Sequence, residues 1–218
     1  MRSRAVVRSC TIKLTLLAAA AVAPLSAQTG APAKGTGVSL TPYIGVLVPT
    51  KALLDYNSQV TKLSAVIAFG GRLGIGLGSR VGIEGDLGYS PGSLNVDSTG
   101  ASLNTDVKIW TGSGRLTLYL IPRTSPLWIA VSGGVGGVRH SFSQGGYSGT
   151  SPIAPKTDVG GVVGASAGIR LGRVLAINVG AEDYLYKAAF DVNGTRTSER
   201  SQNDLRFTGG IRIPFIGF

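Results

Sequence analysis

The 218-residue chain is the size of one ordinary domain or a small barrel, with 43% apolar residues, 15% charged residues and a formal charge of +10. Beyond its N-terminal segment no stretch offers the ~20 consecutive apolar residues of a membrane helix, which excludes a helical membrane protein. The 33 glycines follow no G-x-y period, which excludes collagen and points to many strands with close backbone approach.

The chain begins with a secretory pattern. Arg2, Arg4, Arg8 and Lys13 form a basic region, "LTLLAAAAVAPL" an apolar one, and Ala27 the small residue before a cut. Residues 1–27 are therefore expected to be a signal peptide, and residues 28–37 ("QTGAPAKGTG") a periplasmic linker. The cut takes four of the 21 basic residues and no acidic one, leaving 17 against 11 and a charge of about +6. It also takes Cys10, the only cysteine, so neither a disulfide nor a thiolate site holds the mature domain together. The remaining basic residues are dispersed and exported, so no nucleic acid is expected as a partner.

From residue 38 to 218 the sequence alternates between apolar and small or polar residues, the period of strands with two different faces. Strands are expected at 38–49, 64–77, 81–90, 105–121, 127–140, 157–171, 175–189 and 204–216. Short links ("GSR", "PRTSP", "GRV") alternate with long polar loops at 50–63, 91–104, 141–156 and 190–203. Short turns at one end and long loops at the other are the layout of an outer-membrane barrel. Pro42 and Pro214 fall where the ends of the first and last strands would be fraying.

Alternation does not say which face points out, and a soluble lipocalin-like barrel would put its apolar face inside. Here one face of the third strand is Val81, Ile83, Leu87 and Tyr89, and the other Gly82, Glu84, Asp86 and Gly88. The last strand sets Leu205, Phe207, Ile211, Ile213 and Phe215 against Arg206, Thr208, Gly210 and Arg212. The polar face is poor in Lys and rich in small residues and charges of both signs, so it suits a packed interior. The fold expected is all-β: an eight-stranded antiparallel up-and-down transmembrane β-barrel, its apolar face on lipid. Tyr43, Trp110, Trp128, Phe207 and Phe215 fall toward strand ends, as interfacial girdles do.

Inward parity collects Arg72, Arg115, Arg170, Arg206 and Arg212, with Glu84, Asp86 and Glu182 as anionic partners. A turn centred on Ser79 sets Arg72 across from Asp86, with Glu84 one step away diagonally. These charges are expected to plug the lumen. In "GAEDYLY", Glu182 and Asp183 fall on opposite faces, so one carboxylate must lie at the rim or the strand must bulge.

Architecture and the ending "LRFTGGIRIPFIGF" resemble the outer membrane protein beta-barrel domain family, the OmpA/OmpX-like small barrels. Such proteins end in a signal of polar, Gly, hydrophobic and aromatic residues read by the barrel-assembly machinery. Thr208, Gly210, Ile213 and Phe215 match its spacing, and Phe218 is the alternative terminal aromatic. The resemblance implies outer-membrane location, outer-membrane lipid and the assembly machinery as partners, a monomer, and an extracellular ligand for the long loops. Envelope integrity, surface interaction and weak small-solute passage are the roles it leaves open.

The single histidine, His140, precedes Ser141 and Ser143 and so resembles the Ser and His site of outer-membrane lipid A deacylases. That family's fuller motif is absent, and no acidic residue is placed to orient the imidazole. No enzyme, no cofactor and no metal site is expected, since one His and no mature Cys cannot hold zinc.

Overall fold

Period-two alternation over eight stretches becomes eight long strands, because each face then meets one environment along its whole length. The computed structural model describes residues 36–216 apart from 52–53, 57–58, 62–63, 99–100, 145–154, 172–174, 190, 193–194 and 197–198. The expected signal peptide, most of the linker and Phe218 lie outside the described residues.

The strands are β1 (Thr36–Pro49), β2 (Val66–Leu77), β3 (Val81–Ser98), β4 (Ala101–Ile121), β5 (Leu127–Gln144), β6 (Lys156–Leu171), β7 (Leu175–Ala188) and β8 (Arg200–Ile216). All neighbours are antiparallel, and β1 pairs with both β2 and β8, closing the barrel. Two short hairpins, Leu54–Tyr56 with Gln59–Thr61 and Asp191–Val192 with Thr195–Arg196, stand apart from it. At the short-turn end Arg123 N donates to Ser79 O (2.9 Å) and Arg170 N to Pro126 O (2.7 Å), tying adjacent turns together.

The apolar face is outside. Ile44, Leu87, Leu116, Val163 and Phe215 are exposed, whereas Arg72, Asp86, Arg115, Glu182 and Arg206 are buried. In β4 the belt runs from Trp110 to Leu120, and beyond it the outward residues turn polar at Lys108 and Asp106. Ten residues of a strand tilted by about 40° rise roughly 25 Å, the height of a bilayer's hydrocarbon band. An exterior so apolar belongs to a barrel seated in lipid, and the soluble lipocalin-like alternative falls with it.

Several expectations need correction. The loop expected at 91–104 is mostly ladder: β3 pairs with β4 from Val81↔Leu118 out to Ser98↔Ala101. Its polar composition reflects strands that have left the bilayer, where no apolar face is required. The strand at 127–140 likewise extends to Gln144, the last strand starts at Arg200, and β1 starts inside the expected linker. Tyr43 and Trp128 are not girdle residues. They share parity with Thr41 and Ala130 and are buried in the lumen, while Trp110, Phe207 and Phe215 do face out. Pro42 sits in mid-strand, where the β1–β8 ladder pairs Leu40↔Ile213 and Tyr43↔Gly210 but skips the positions between. β7 does not bulge: Glu182↔Arg206 and Asp183↔Leu205 are consecutive pairs, so Asp183 faces outward, bonded to Asn203 near Lys51 at the long-loop margin.

Candidate functional site: the stratified lumen

The inward residues stack in three layers, and the middle one gathers charges from five strands. Arg206 on β8 reaches across the lumen: its Nη2 donates to Asp86 Oδ1 at 2.5 Å, and its Nε to Glu182 Oε2 at 2.9 Å. Its Nη1 donates to Tyr43 OH (2.7 Å) and Thr111 Oγ1 (2.9 Å). Glu182 on β7 also pairs with Arg72 and Arg115. Arg72 Nε lies 3.5 Å from Asp86 Oδ2 and 4.0 Å from Glu84 Oε2, and Arg115 Nη2 lies 3.6 Å from Glu84 Oε2. Tyr43 and Tyr184 complete the shell, each donating toward Asp86 Oδ1 (3.3 and 3.5 Å) with its ring about 5 Å from the Arg206 guanidinium.

Three arginines thus meet three carboxylates. Buried ions are tolerated when paired and hydrogen-bonded on several sides, and Asp86 Oδ1 and both Glu182 oxygens each have more than one donor within reach, whereas Glu84 Oε2 and Asp86 Oδ2 are met by longer ion-pair contacts.

Glycine makes room for this packing. A Cβ on Gly88 would sit 2.5 Å from Arg206 Nη1 and 2.5 Å from Thr111 Oγ1, and one on Gly70 would sit 2.2 Å from Tyr43 OH. Large side chains in a narrow lumen need bare backbone opposite them.

The layer toward the short turns is different. Arg212 donates from Nε to Ser39 Oγ (3.0 Å) and from Nη1 to Tyr119 OH (3.1 Å), with its guanidinium 5.6 Å from the Trp128 ring centre. Arg170 bonds through Nη2 to Arg123 O (2.7 Å). Of the charges collected by parity, the structure therefore joins Arg72, Glu84, Asp86, Arg115, Glu182 and Arg206, and leaves Arg170 and Arg212 in a second cluster. Arg123, in the turn "PRTSP", is buried beside them and was not anticipated, because a turn carries no parity.

Toward the long loops the lumen becomes apolar, with Leu47, Val66, Val107, Ile109, Val138 and Phe142 buried together. There Tyr186 OH donates to Asp204 Oδ2 (2.7 Å), and Lys156 pairs with Asp158 (2.8 Å) at the rim. The interior is not polar throughout, as the face comparison had implied, because the inward positions of the strands change character beyond Thr111.

His140 sits in this upper layer, stacked 6.3 Å from Phe142 between the outward Arg139 and Ser141, above the belt. Burial lowers its pKa to about 4. A general base working near neutrality needs a value closer to 7. Among the described residues no group of three potential metal ligands occurs.

The remaining residues singled out lie on β8: Thr208 inward and buried, Gly210 inward, Ile213 outward and half-buried, Phe215 outward and exposed.

Neither a protein-family model nor a curated protein matches the sequence. Solved structures do match in fold. The outer membrane protein OprG from Pseudomonas aeruginosa superposes with a TM-score of 0.64 at 13% identity, over 84% of this chain and 98% of that one. AlkL, solved in DMPC lipid bilayers, gives 0.55 at 14% over 85% and 93%. E. coli Outer Membrane Protein W gives 0.54 at 12% over 84% and 99%. With its closed eight-stranded ladder and its exterior belt, the chain has the fold of the small outer-membrane β-barrels.

Proposed function

We propose that this protein is an integral outer-membrane barrel that is closed to solutes and acts through its extracellular end, without enzymatic activity. The observation that carries the reading is the network of Arg72, Arg115 and Arg206 with Glu84, Asp86 and Glu182, drawn from five of the eight strands and meeting across the lumen. A path for solutes would require parting buried ion pairs, and losing one partner of such a pair costs about 3–5 kcal/mol. What remains available to partners is the rim, where β3, β4 and β5 rise beyond the belt as a wall of paired backbone. Export, the assembly signal on β8 and a monomeric state belong to the same reading.

Conductance across planar lipid bilayers tests it. The wild type is expected to give no resolved steps, whereas Arg115→Gly with Glu182→Gly, which empties the centre of the network, should open a small conductance. Steady conductance by the unaltered barrel would remove the closed reading. The absence of enzymatic activity is tested by lipid A hydrolysis: deacylation by the wild type that disappears in His140→Ala would replace this function with an enzyme.

A further inference from the structure

At the long-loop margin of the belt the outer face carries cations, and they are answered on one side of the barrel only. Where β7, β8 and β1 meet, Lys187 pairs with Glu199 (4.0 Å), and Lys51 donates to Ser201 O (3.0 Å) close to the Asp183 carboxylate. On β4 and β5 the margin presents Lys108 and Arg139, both exposed, and among the described residues neither forms an ion pair or a hydrogen bond. Asp106, the next outward residue of β4, stands one rung farther from the belt and is paired with neither. The neighbouring segments 99–100 and 145–154 contain no Asp or Glu.

The ladder sets Trp110 opposite Arg139 and Lys108 opposite Ser141, so Lys108 and Arg139 are diagonal neighbours on one face, about 7–8 Å apart. Arg139 lies opposite Thr157 of β6, and Trp110 lies against Tyr89 of β3 with ring centres 4.7 Å apart. Two cations and two hydroxyl residues, Ser141 and Thr157, thus stand above a pair of aromatic rings. The next outward pair below is Gly112 with Gly137, which is bare backbone.

We infer that this patch binds the anionic phosphate headgroup of a lipid in the surrounding leaflet, with Arg139 and Lys108 on the phosphate and Ser141 and Thr157 donating to its oxygens. Paired aromatic rings on a barrel's outer face sit at headgroup level, so the cations above Trp110 stand where lipid phosphates lie. A guanidinium fork and an ammonium point charge on long stems converge on one phosphate from that spacing. The chain of the lipid descends past Trp110 over Gly112 and Gly137. The patch adjoins the apolar belt, which makes a lipid, rather than a soluble anion, its occupant. The inference rests on the barrel being seated in lipid and is independent of whether the lumen conducts.

Trp110 reports on the patch. In bilayers at physiological salt, its quenching by phosphatidylglycerol with brominated chains is compared with quenching by brominated phosphatidylcholine, and Trp110→Phe measures the constant background of the lumenal Trp128. The wild type should prefer phosphatidylglycerol about tenfold. Lys108→Gln and Arg139→Gln, exposed and outside the buried network, should each lower the preference about fivefold, and together remove it, with folding checked by heat-modifiable migration. Lys51→Gln with Lys187→Gln, cations already engaged on the other side, should leave it unchanged, since charges that far apart are screened. A wild type without preference, a preference that survives in the folded Lys108→Gln, Arg139→Gln barrel, or an equal loss in the Lys51→Gln, Lys187→Gln barrel overturns the site. Relief of the preference by millimolar inorganic phosphate, but not by sodium chloride of equal ionic strength, assigns the cations to a soluble anion and overturns the lipid as occupant.

Discussion

Arg206 meets Asp86, Glu182, Tyr43 and Thr111 at once, and it is completely buried. Its replacement therefore leaves two carboxylates short of a counter-ion in a site water does not reach. Arg206→Met should destabilise the folded barrel by about 3–5 kcal/mol, measured by urea unfolding in micelles with heat-modifiable migration as the second readout. Gly88→Ala adds one methyl group against Arg206 Nη1 and Thr111 Oγ1 and should cost about 1–3 kcal/mol through overpacking. An Arg206→Met barrel as stable as the wild type would mean that the network contributes no stability. The Arg72 and Asp86 pairing was legible in the sequence, since one turn centred on Ser79 fixes that register. The sharing of Glu182 among Arg72, Arg115 and Arg206 was not. Parity tells which residues point inward, but the level at which β7 meets β2 and β4 across the lumen depends on barrel stagger, which no local pattern encodes.

At the scale of the strand, existence and order could be read from alternation and turn chemistry, whereas lengths could not. β3 and β4 continue beyond the belt through "LNVDS" and "ASLNT", segments whose composition reads as loop although their backbones pair. Tyr43 and Trp128 show the opposite failure. Each shares parity with small or polar neighbours, so the signal for an inward position was present, and position along the strand was the weaker guide. β8 has a separate test. Removal of residues 205–218 should abolish outer-membrane recovery, since it exposes β1 and β7 as unpaired edges that hydrocarbon does not tolerate. Removal of 216–218 alone should leave recovery intact if Phe215 ends the assembly signal and abolish it if Phe218 does. A soluble, monomeric, folded product from the longer deletion would remove β8 from the role of closing strand.

For the molecule as a whole, seven of the eight junctions join strands adjacent in sequence, and one, β1 to β8, joins the two ends of the barrel. That junction brings Tyr43 to Arg206 and Ser39 to Arg212, contacts separated by 163 and 173 residues. Contacts at such separation are slow to form because loop-closure entropy must be overcome first. The order of events follows. A barrel missing only its last strand already holds Asp86, Glu84 and Glu182 but has just Arg72 and Arg115 to face them, so the middle layer carries one surplus negative charge. Arg206 arrives on the same strand that completes the backbone ladder, so the seam closes and the middle layer of the lumen reaches three cations against three anions in one step. An open sheet in lipid would be penalised twice over, by its bare edge and by its uncompensated charge, and the unfinished chain is thereby held back from the bilayer until its final segment is in place.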